Sequence, residues 1–158
     1  MAIYVEIGKI KGNVSADGHK DWIEVNSMNF GVGRAIPMMV GSQTNREATH
    51  PSFSEITFQK EMDDSSPYIF RESVVGEGKA IKVHIVKTGA NKLETVVEYT
   101  LEAALVSSYS ISSSGGQPSE KFTISFTKIE MKYVVWDEKH TKSSQIPISY
   151  DLATAKAS

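Results

Sequence analysis

The chain has 158 residues, a formal net charge of −2 and no cysteine. A chain of this length buries about 70% of its unfolded surface in one core, so we expect a single domain covering residues 1–158. The lack of thiols excludes disulfides and thiolate metal sites, and the evenly spread, slightly negative charge argues against nucleic acid or an anionic membrane as the main partner.

The first ten residues predict a strand. Ile3, Val5 and Ile7 alternate with other residue types, whereas a cleaved signal peptide needs a basic start and a continuous apolar run. No later run approaches the ~20 apolar residues that span a bilayer. We therefore expect no membrane insertion and, for any export, a route other than a cleaved signal peptide. A second strand is predicted over residues 21–30.

Residues 31–52 form a long extended loop, because glycines and prolines interrupt every periodic pattern there. The middle of the loop is nevertheless apolar. Two interpretations fit: the loop folds back on its own core, or it is an arm that buries these side chains against another chain. We favour the arm. Its candidate subunit-interface residues are Ile36, Met38, Met39 and Val40.

The best-defined local pattern is strand, helix, strand. Strand periodicity around Ile56 and Phe58 stops before a cluster of side-chain oxygens, and Pro67 suits a first helical turn. The pattern predicts one short helix over residues 66–75, with Ser66 as N-cap. Gly76 or Gly78 is expected to end it in the left-handed conformation. Alternating apolar residues then predict a strand from Ile81 to Ile85.

A long strand is predicted over residues 92–106, with alternate apolar residues from Leu93 to Leu105 on one face. Glu94, Glu98 and Glu102 lie on the opposite face by the same alternation. A solvated strand face is the simplest interpretation of this row, and the lining of a passage is the alternative. At about 3.3 Å per residue the strand is longer than a small barrel, so it should bend or project.

The next strand contains an irregularity. Phe122, Ile124 and Phe126 share one parity, whereas the apolar residues from Ile129 to Val135 share the other. A bulge near residues 127–128 would restore a continuous inward face. A last strand follows, in which Pro147 suits a sheet edge. Together the elements predict a mainly β fold, an antiparallel β-barrel of about seven to nine strands with one short helix.

The sequence offers no catalytic, metal or cofactor site. His19, His50, His84 and His140 lack the spacing of metal ligands, and His84 is expected to be an ordinary outer-face histidine. The adjacent acids Asp63 and Asp64 fit the start of the helix better than acid–base catalysis. We therefore predict that the protein is not an enzyme, and no cofactor is expected.

Several motifs, in their order and spacing, resemble the haemolysin-coregulated protein (Hcp) family of the type VI secretion system. They run along nearly the whole chain: Gly8-Lys9-Ile10-Lys11-Gly12 with Ser15, His19 to Val25, Phe58-Gln59-Lys60 with Asp63 to Pro67, and Leu105-Val106-Ser107-Ser108 leading to Gly115-Gly116. Where many members have a Gly-Trp-Asp-Leu-like ending, this chain has Ser149-Tyr150-Asp151-Leu152, which leaves the subgroup open.

The resemblance implies a homohexameric ring with a wide pore, and rings that stack into the inner tube of the system. It implies as partners the spike protein, the contractile sheath, the baseplate and effector proteins in the pore. The protein would assemble in the bacterial cytoplasm and then be secreted. The candidate pore-lining residues are Glu94, Glu98, Glu102, Thr123, Ser125 and Thr127, although strand parity does not distinguish pore from exterior.

Two other classes of protein share parts of this pattern. A phage-type tail-tube protein has the same architecture. A monomeric ligand-binding β-barrel would require an apolar internal cavity and would form no ring.

Overall fold

The structure, a computed structural model, describes residues 1–38, 40–41 and 49–158. Within these residues it contains twelve strands and one α-helix. The strands are β1 (Ala2–Ile7), β2 (Ile23–Val25), β3 (Ser27–Asn29), β4 (Val32–Gly33), β5 (Ser52–Phe53), β6 (Ile56–Glu61), β7 (Lys79–Thr88), β8 (Leu93–Ser112), β9 (Ser119–Ser125), β10 (Lys128–Trp136), β11 (Lys142–Asp151) and β12 (Lys156–Ala157), and the helix is α1 (Ser66–Val75). Five of these strands have only two or three residues, which explains why the sequence predicts fewer.

The strands pair into an antiparallel barrel. One path of neighbours runs β12-β11-β10-β8-β7-β1-β2, and a second runs β3-β6-β9-β8, so β8 belongs to both. We call these the first and second sheets. The two paths also meet at Asn26, between β2 and β3, whose N–H donates to the carbonyl oxygen of Gln59 at 2.7 Å. Following neighbouring strands from β8 through β7, β1, β2, β3, β6 and β9 therefore leads back to β8. Strands β10, β11 and β12 extend the first sheet on the other side of β8. The predicted mainly β, antiparallel fold is confirmed.

The barrel interior is apolar, and α1 packs against it. Ile69 of α1 is completely buried in the same cluster as the inward side chains of both sheets. These include Val5, Ile7, Ile23, Ile56, Phe58, Ile81, Leu101, Phe122 and Ile124. A second, smaller cluster lies on the outer face of β1 and β7, where residues 13–22 cover Tyr4 and Val86 with Val14 and Trp22.

The helix has the predicted bounds but not the predicted caps. Ser65 is the N-cap residue, not Ser66. The Ser66 hydroxyl instead accepts the N–H of Asp63 at 3.0 Å and donates to Glu120 at 2.8 Å. At the other end Gly76 is extended, with φ −68° and ψ 152°, and its N–H donates to the carbonyl of Glu72. The expectation of a left-handed glycine was wrong, because the chain continues straight into β7.

Three bulges in β8, at Val96, Ala103 and Ser107, change which of its residues face inward. Between the pairs Ile85–Val97 and Val86–Thr95, β8 contains one extra residue, Val96. A second irregularity follows Leu101, at Ala103, whose φ is +49°. The expected inward row therefore shifts: Ala104 and Val106 are buried, whereas Ala103 and Leu105 are exposed. Glu94 also moves, to the inward face.

In place of the bulge predicted near residues 127–128, the structure has a break between β9, which ends at Ser125, and β10, which begins at Lys128. The break lies beside the second bulge of β8, because the N–H of Thr127 donates to the carbonyl of Glu102 at 3.1 Å. Before this corner β9 pairs with β6 in the second sheet, and after it β10 pairs with β11 in the first. The apolar parity flips because the chain changes sheets.

The loop predicted over residues 31–52 has a paired base. Val32 pairs with Phe53, and the Ala35 N–H donates to the Thr49 hydroxyl at 3.0 Å. We call residues 31–53 the arm, of which the structure describes 31–38, 40–41 and 49–53. Among the described residues, no helix is long and apolar enough to cross a membrane.

Candidate functional site

The arm exposes the apolar side chains that the sequence marked as interface candidates. Met38 is 85% exposed, Val40 is fully exposed and Ile36 is 41% exposed. Met39 lies outside the described residues. These three described side chains are not part of the core, so the folded-back interpretation does not apply to them. Together they give the described part of this loop an exposed apolar surface.

A second exposed apolar surface lies on β10 and β11. Met131 pairs with Ile148 and Tyr133 pairs with Ile146, and each of these four side chains is 43–56% exposed. We call them the β10–β11 face. Met131 pairs with Tyr99 of β8, so the β10–β11 face lies on the same side of the first sheet as the core residues. Inside the barrel that side is covered by the second sheet, but on β10 and β11 the described chain leaves it open.

A groove of about 250 Å³ separates the β10–β11 face from the base of the arm. Its lining is almost entirely apolar: Phe30, Val32 and Phe53 on the arm side, and Tyr99, Ile129, Met131, Ile148 and Tyr150 on the sheet side. Of these residues, the sequence placed only Ile129 and Met131 on a continuous inward strand face. Periodicity shows which side of a strand is apolar, and it does not show that part of this side is uncovered.

The outer edge of β11 is shielded against strand addition. The N–H of Ser149 points to this edge, where it donates to Ser158 at 2.9 Å. By the strand alternation the backbone of Pro147 points the same way, and proline has no N–H to offer. The expectation that Pro147 suits an edge is confirmed, since the short β12 pairs only with Tyr150 and Asp151.

The candidate pore-lining residues do not form one surface. Glu98 and Glu102 lie on the outer side of the first sheet, where the Lys132 ammonium is 2.7 Å from the Glu98 carboxylate. Thr123 and Ser125 lie on the outer side of the second sheet, and Thr127 is at the corner. The Thr123 hydroxyl is 2.6 Å from that of Ser108. The two rows therefore face in different directions.

Glu94 departs from its predicted row altogether. The bulge at Val96 turns its side chain inward, and its carboxylate is completely buried. There the carboxylate lies 2.9 Å from Nδ1 of His140 and 3.5 Å from the Lys87 ammonium. The expectation that Glu94 lines a solvated face or a passage was therefore wrong. Its contacts join the β7–β8 hairpin to the turn between β10 and β11.

A buried polar network fixes α1 to the second sheet. The Lys60 ammonium donates to Glu120 at 2.6 Å, and Glu120 also accepts from Tyr109 at 2.6 Å. Burial raises the pKa of Tyr109, and the hydrogen bond to Glu120 adds to this. Burial would also raise the pKa of Asp63, but hydrogen bonds from Ser65 and Lys60 outweigh it and lower the pKa. Asp63 thus serves the helix start, as predicted.

Two histidines that look unrelated in the sequence are in contact. Nε2 of His19 lies 2.9 Å from Nδ1 of His84, beside the rings of Tyr4 and Trp22. Burial lowers the pKa of His84 to about 4; the nearby Glu98 opposes this effect and His19 adds to it. His84 is on the outer face, as expected, but residues 13–22 cover it. Among the described residues no third donor completes a metal site here.

Comparison with known proteins identifies the family. Residues 4–133 match the family described as "Type VI secretion system effector, Hcp". The chain belongs to the Hcp family. A search of the curated protein sequences found no match. Hcp proteins are components of the type VI secretion system, and the family description names no enzymatic activity.

Solved structures agree with this assignment. The Hcp fold described above is similar to a structure described as a type six secretion system protein, with 26% identity, 99% coverage of both chains and a TM-score of 0.91. Hcp1 from Salmonella typhimurium is 25% identical, with 99% and 98% coverage and a TM-score of 0.77. A type VI secretion system effector from Yersinia pestis, 21% identical with 94% and 98% coverage and a TM-score of 0.74, shares the fold.

Proposed function

We propose that six copies of this Hcp chain close into a ring and that the rings stack into the inner tube of a type VI secretion system. The repeating unit is one tube-protein β-barrel domain spanning residues 1–158. One observation carries the proposal: the core-facing side of the first sheet is uncovered on β10 and β11. A monomer in water would leave this apolar surface exposed, and a subunit of an assembly would not.

The arm supplies a complementary surface on the same chain. Its candidate interface residues remain Ile36, Met38, Met39 and Val40, of which the three described ones are exposed. A contact between two different surfaces of identical chains is heterologous. Heterologous contacts close into a ring when the rotation between copies closes, and further heterologous contacts between rings stacked along the same axis build an open-ended tube.

The outer side of the second sheet is the better candidate for the pore lining. It carries a dense set of small hydroxyl side chains on neighbouring strands, with Thr57 beside Thr123 and Thr123 beside Ser108. Ser125 continues the row, and Thr127 follows at the corner. Small neutral polar groups would leave a wetted, weakly adhesive wall through which an effector can pass. We assign Glu98 and Glu102, on the outer side of the first sheet, to the exterior.

As the inner tube, the assembly would have several partners and a defined route out of the cell. The tube would contact a spike protein, a surrounding contractile sheath and a baseplate, and it would hold effector proteins in its pore. Assembly would occur in the bacterial cytoplasm, and contraction of the sheath would eject the tube into the extracellular space without a cleaved signal peptide.

Particle mass and shape test this proposal directly. Purified protein is examined by analytical ultracentrifugation across salt and protein concentration, and by negative-stain electron microscopy. The expected particle has six times the 17.4 kDa chain mass and a stained central pore. A monomer under every condition would overturn the proposal and would favour the ligand-binding barrel.

A further inference from the structure

We propose that a groove between the turn after β1 and the exposed side of α1 binds an acidic peptide segment of a partner protein. We call it the basic groove. It has a volume of about 510 Å³, and its lining includes Lys9, Ile10, Lys11, Tyr68, Arg71 and Lys79. Residues 8–11 belong to a motif that neither the ring contacts nor the pore lining uses. The inference goes beyond the proposed function, because every residue of the groove belongs to one chain and the site does not require a ring.

The basic groove concentrates positive charge on a chain that is negative overall. Four cationic side chains and one carboxylate line it: Lys9, Lys11, Arg71, Lys79 and Glu72. Four cations and one anion give the lining a formal charge of +3, so the rest of the chain carries −5 within the net charge of −2. Within residues 1–38, 40–41 and 49–158, only Lys79 of the four cations forms an ion pair. The other three give the concave surface a positive potential that attracts an anionic partner.

Two of the cations are held in place by other side chains of the groove. The Arg71 guanidinium lies 5.5 Å from the ring centroid of Tyr68. The Lys79 ammonium lies 2.7 Å from the Glu72 carboxylate, and the Lys79 side chain passes close to Gly8, where a Cβ would lie 3.1 Å from its Cδ. Side chains that are already held lose little conformational freedom when a ligand binds, so the groove is prepared for a carboxylate.

Apolar surface inside and beside the groove indicates a peptide and not a free anion. Ile10 is half-buried in the lining, and Tyr68 is 48% exposed there. Val75 follows Tyr68 by seven residues, so it lies on the same side of α1, and it is 69% exposed. A small anion would leave this surface in water, whereas a segment with apolar side chains between its acidic ones would cover it. The occupant therefore carries carboxylates on both sides of a leucine-like side chain.

Fluorescence anisotropy of a labelled peptide tests the site. The probe is the peptide Glu-Glu-Leu-Leu-Glu-Glu, and two matched peptides replace either its leucines with serine or its glutamates with lysine. The purified full chain should bind the probe with a Kd below about 1 mM, and the two matched peptides at least about tenfold more weakly. Added salt should weaken binding of the probe, because it screens the attraction between the carboxylates and the cations.

Charge reversal at Arg71 locates the binding site. Arg71→Glu removes a charge-assisted contact and adds repulsion, so it should weaken binding of the probe at least about tenfold. Lys139→Glu is the matched control, because it makes the same change of charge at an exposed residue of the turn between β10 and β11, outside the groove. It should leave the affinity unchanged. Lys9→Glu, in the opposite wall, should repeat the effect of Arg71→Glu without altering α1.

Several results would overturn this inference. They are no binding of the probe at about 1 mM, equal affinities of the Arg71→Glu and Lys139→Glu variants, equal binding of the serine peptide, or tighter binding of single-stranded oligothymidylate than of the probe. Sedimentation of the variants adds one more: loss of rings in Arg71→Glu alone would mean that a second copy of the chain occupies the groove. A wild-type chain that forms no ring would overturn the proposed function, while binding of the probe would still decide this inference.

Discussion

The ammonium of Lys60 lies 2.6 Å from the carboxylate of Glu120, and both side chains are at most 1% exposed. Two buried charges are costly unless they are paired and their remaining hydrogen-bonding positions are filled. Ser66 and Tyr109 fill those positions by donating to Glu120. The pair therefore links β6 and β9 to the first turn of α1.

Breaking this pair should strongly destabilise the chain. Lys60→Met leaves the Glu120 carboxylate buried without its counter-ion, which typically costs about 3–5 kcal/mol of unfolding free energy. Lys132→Met is the control, because it breaks a partly exposed pair with Glu98 and should cost about 1 kcal/mol or less. Urea unfolding at one fixed protein concentration measures both. Equal losses in the two variants would contradict the role assigned to Lys60.

The stability of the chain should rise with pH between about 4 and 6.5 because of His84. Burial lowers its pKa from 6.5 to about 4 in the folded state. Between these values the unfolded chain binds more protons, so acidification favours unfolding. The contribution is complete above pH 6.5 and is lost as the pH falls through about 4.

The variant His84→Gln isolates this effect. Urea midpoints measured from pH 4 to pH 7 should depend less steeply on pH in this variant than in the wild type. His50→Gln, which removes an exposed histidine, should keep the wild-type slope. A slope that is unchanged by His84→Gln would mean that other groups, such as carboxylates, account for the pH dependence.

Gly12 should not tolerate a side chain. A Cβ there would overlap the carbonyl oxygen of Trp22 and lie 2.7 Å from the Cα of Ile23. Since both are backbone atoms that cannot rotate away, Gly12→Ala should cost about 1–3 kcal/mol of unfolding free energy. Gly31→Ala is the control, because nothing lies within 4 Å of its Cβ position. Thermal unfolding in which both variants behave alike would refute the close contact.

Truncation of the arm should weaken assembly without unfolding the subunit. Met38→Ala combined with Met39→Ala removes the Met38 side chain, which is exposed and lies outside the core, together with the apolar side chain next to it in the sequence. The circular dichroism spectrum should stay unchanged, while sedimentation shifts from rings toward monomers. If rings of unchanged stability form, the arm takes no part in the interface.

The sequence alone predicts most of the fold. Alternating apolar residues such as Ile81, Val83 and Ile85 show where strands run, and the serines before Pro67 locate the helix to within one residue. The parity flip after Phe126 correctly indicates a corner. These features can be predicted because each depends on neighbours in the chain.

The remaining features depend on long-range contacts. The contact of His19 with His84 joins residues 65 positions apart, and no local spacing predicts it. The bulge at Val96 leaves little trace in the pattern, because valines occupy both positions 96 and 97, yet it turns Glu94 from the surface into the interior. The β10–β11 face was missed because a strand has the same pattern whether its own core or a partner covers it.

Strand β8 runs for twenty residues and belongs to both sheets. Neither sheet can therefore come apart without freeing a long edge of β8 and opening the barrel, so the two sheets should unfold in one cooperative transition. Folding should be slow, because β8 cannot complete the second sheet before β9 is synthesised. The pairing of β1 with β7 also joins residues that are far apart in the sequence. Until then β8 presents an unpaired apolar edge, and this interval is when the nascent subunit is most prone to aggregate.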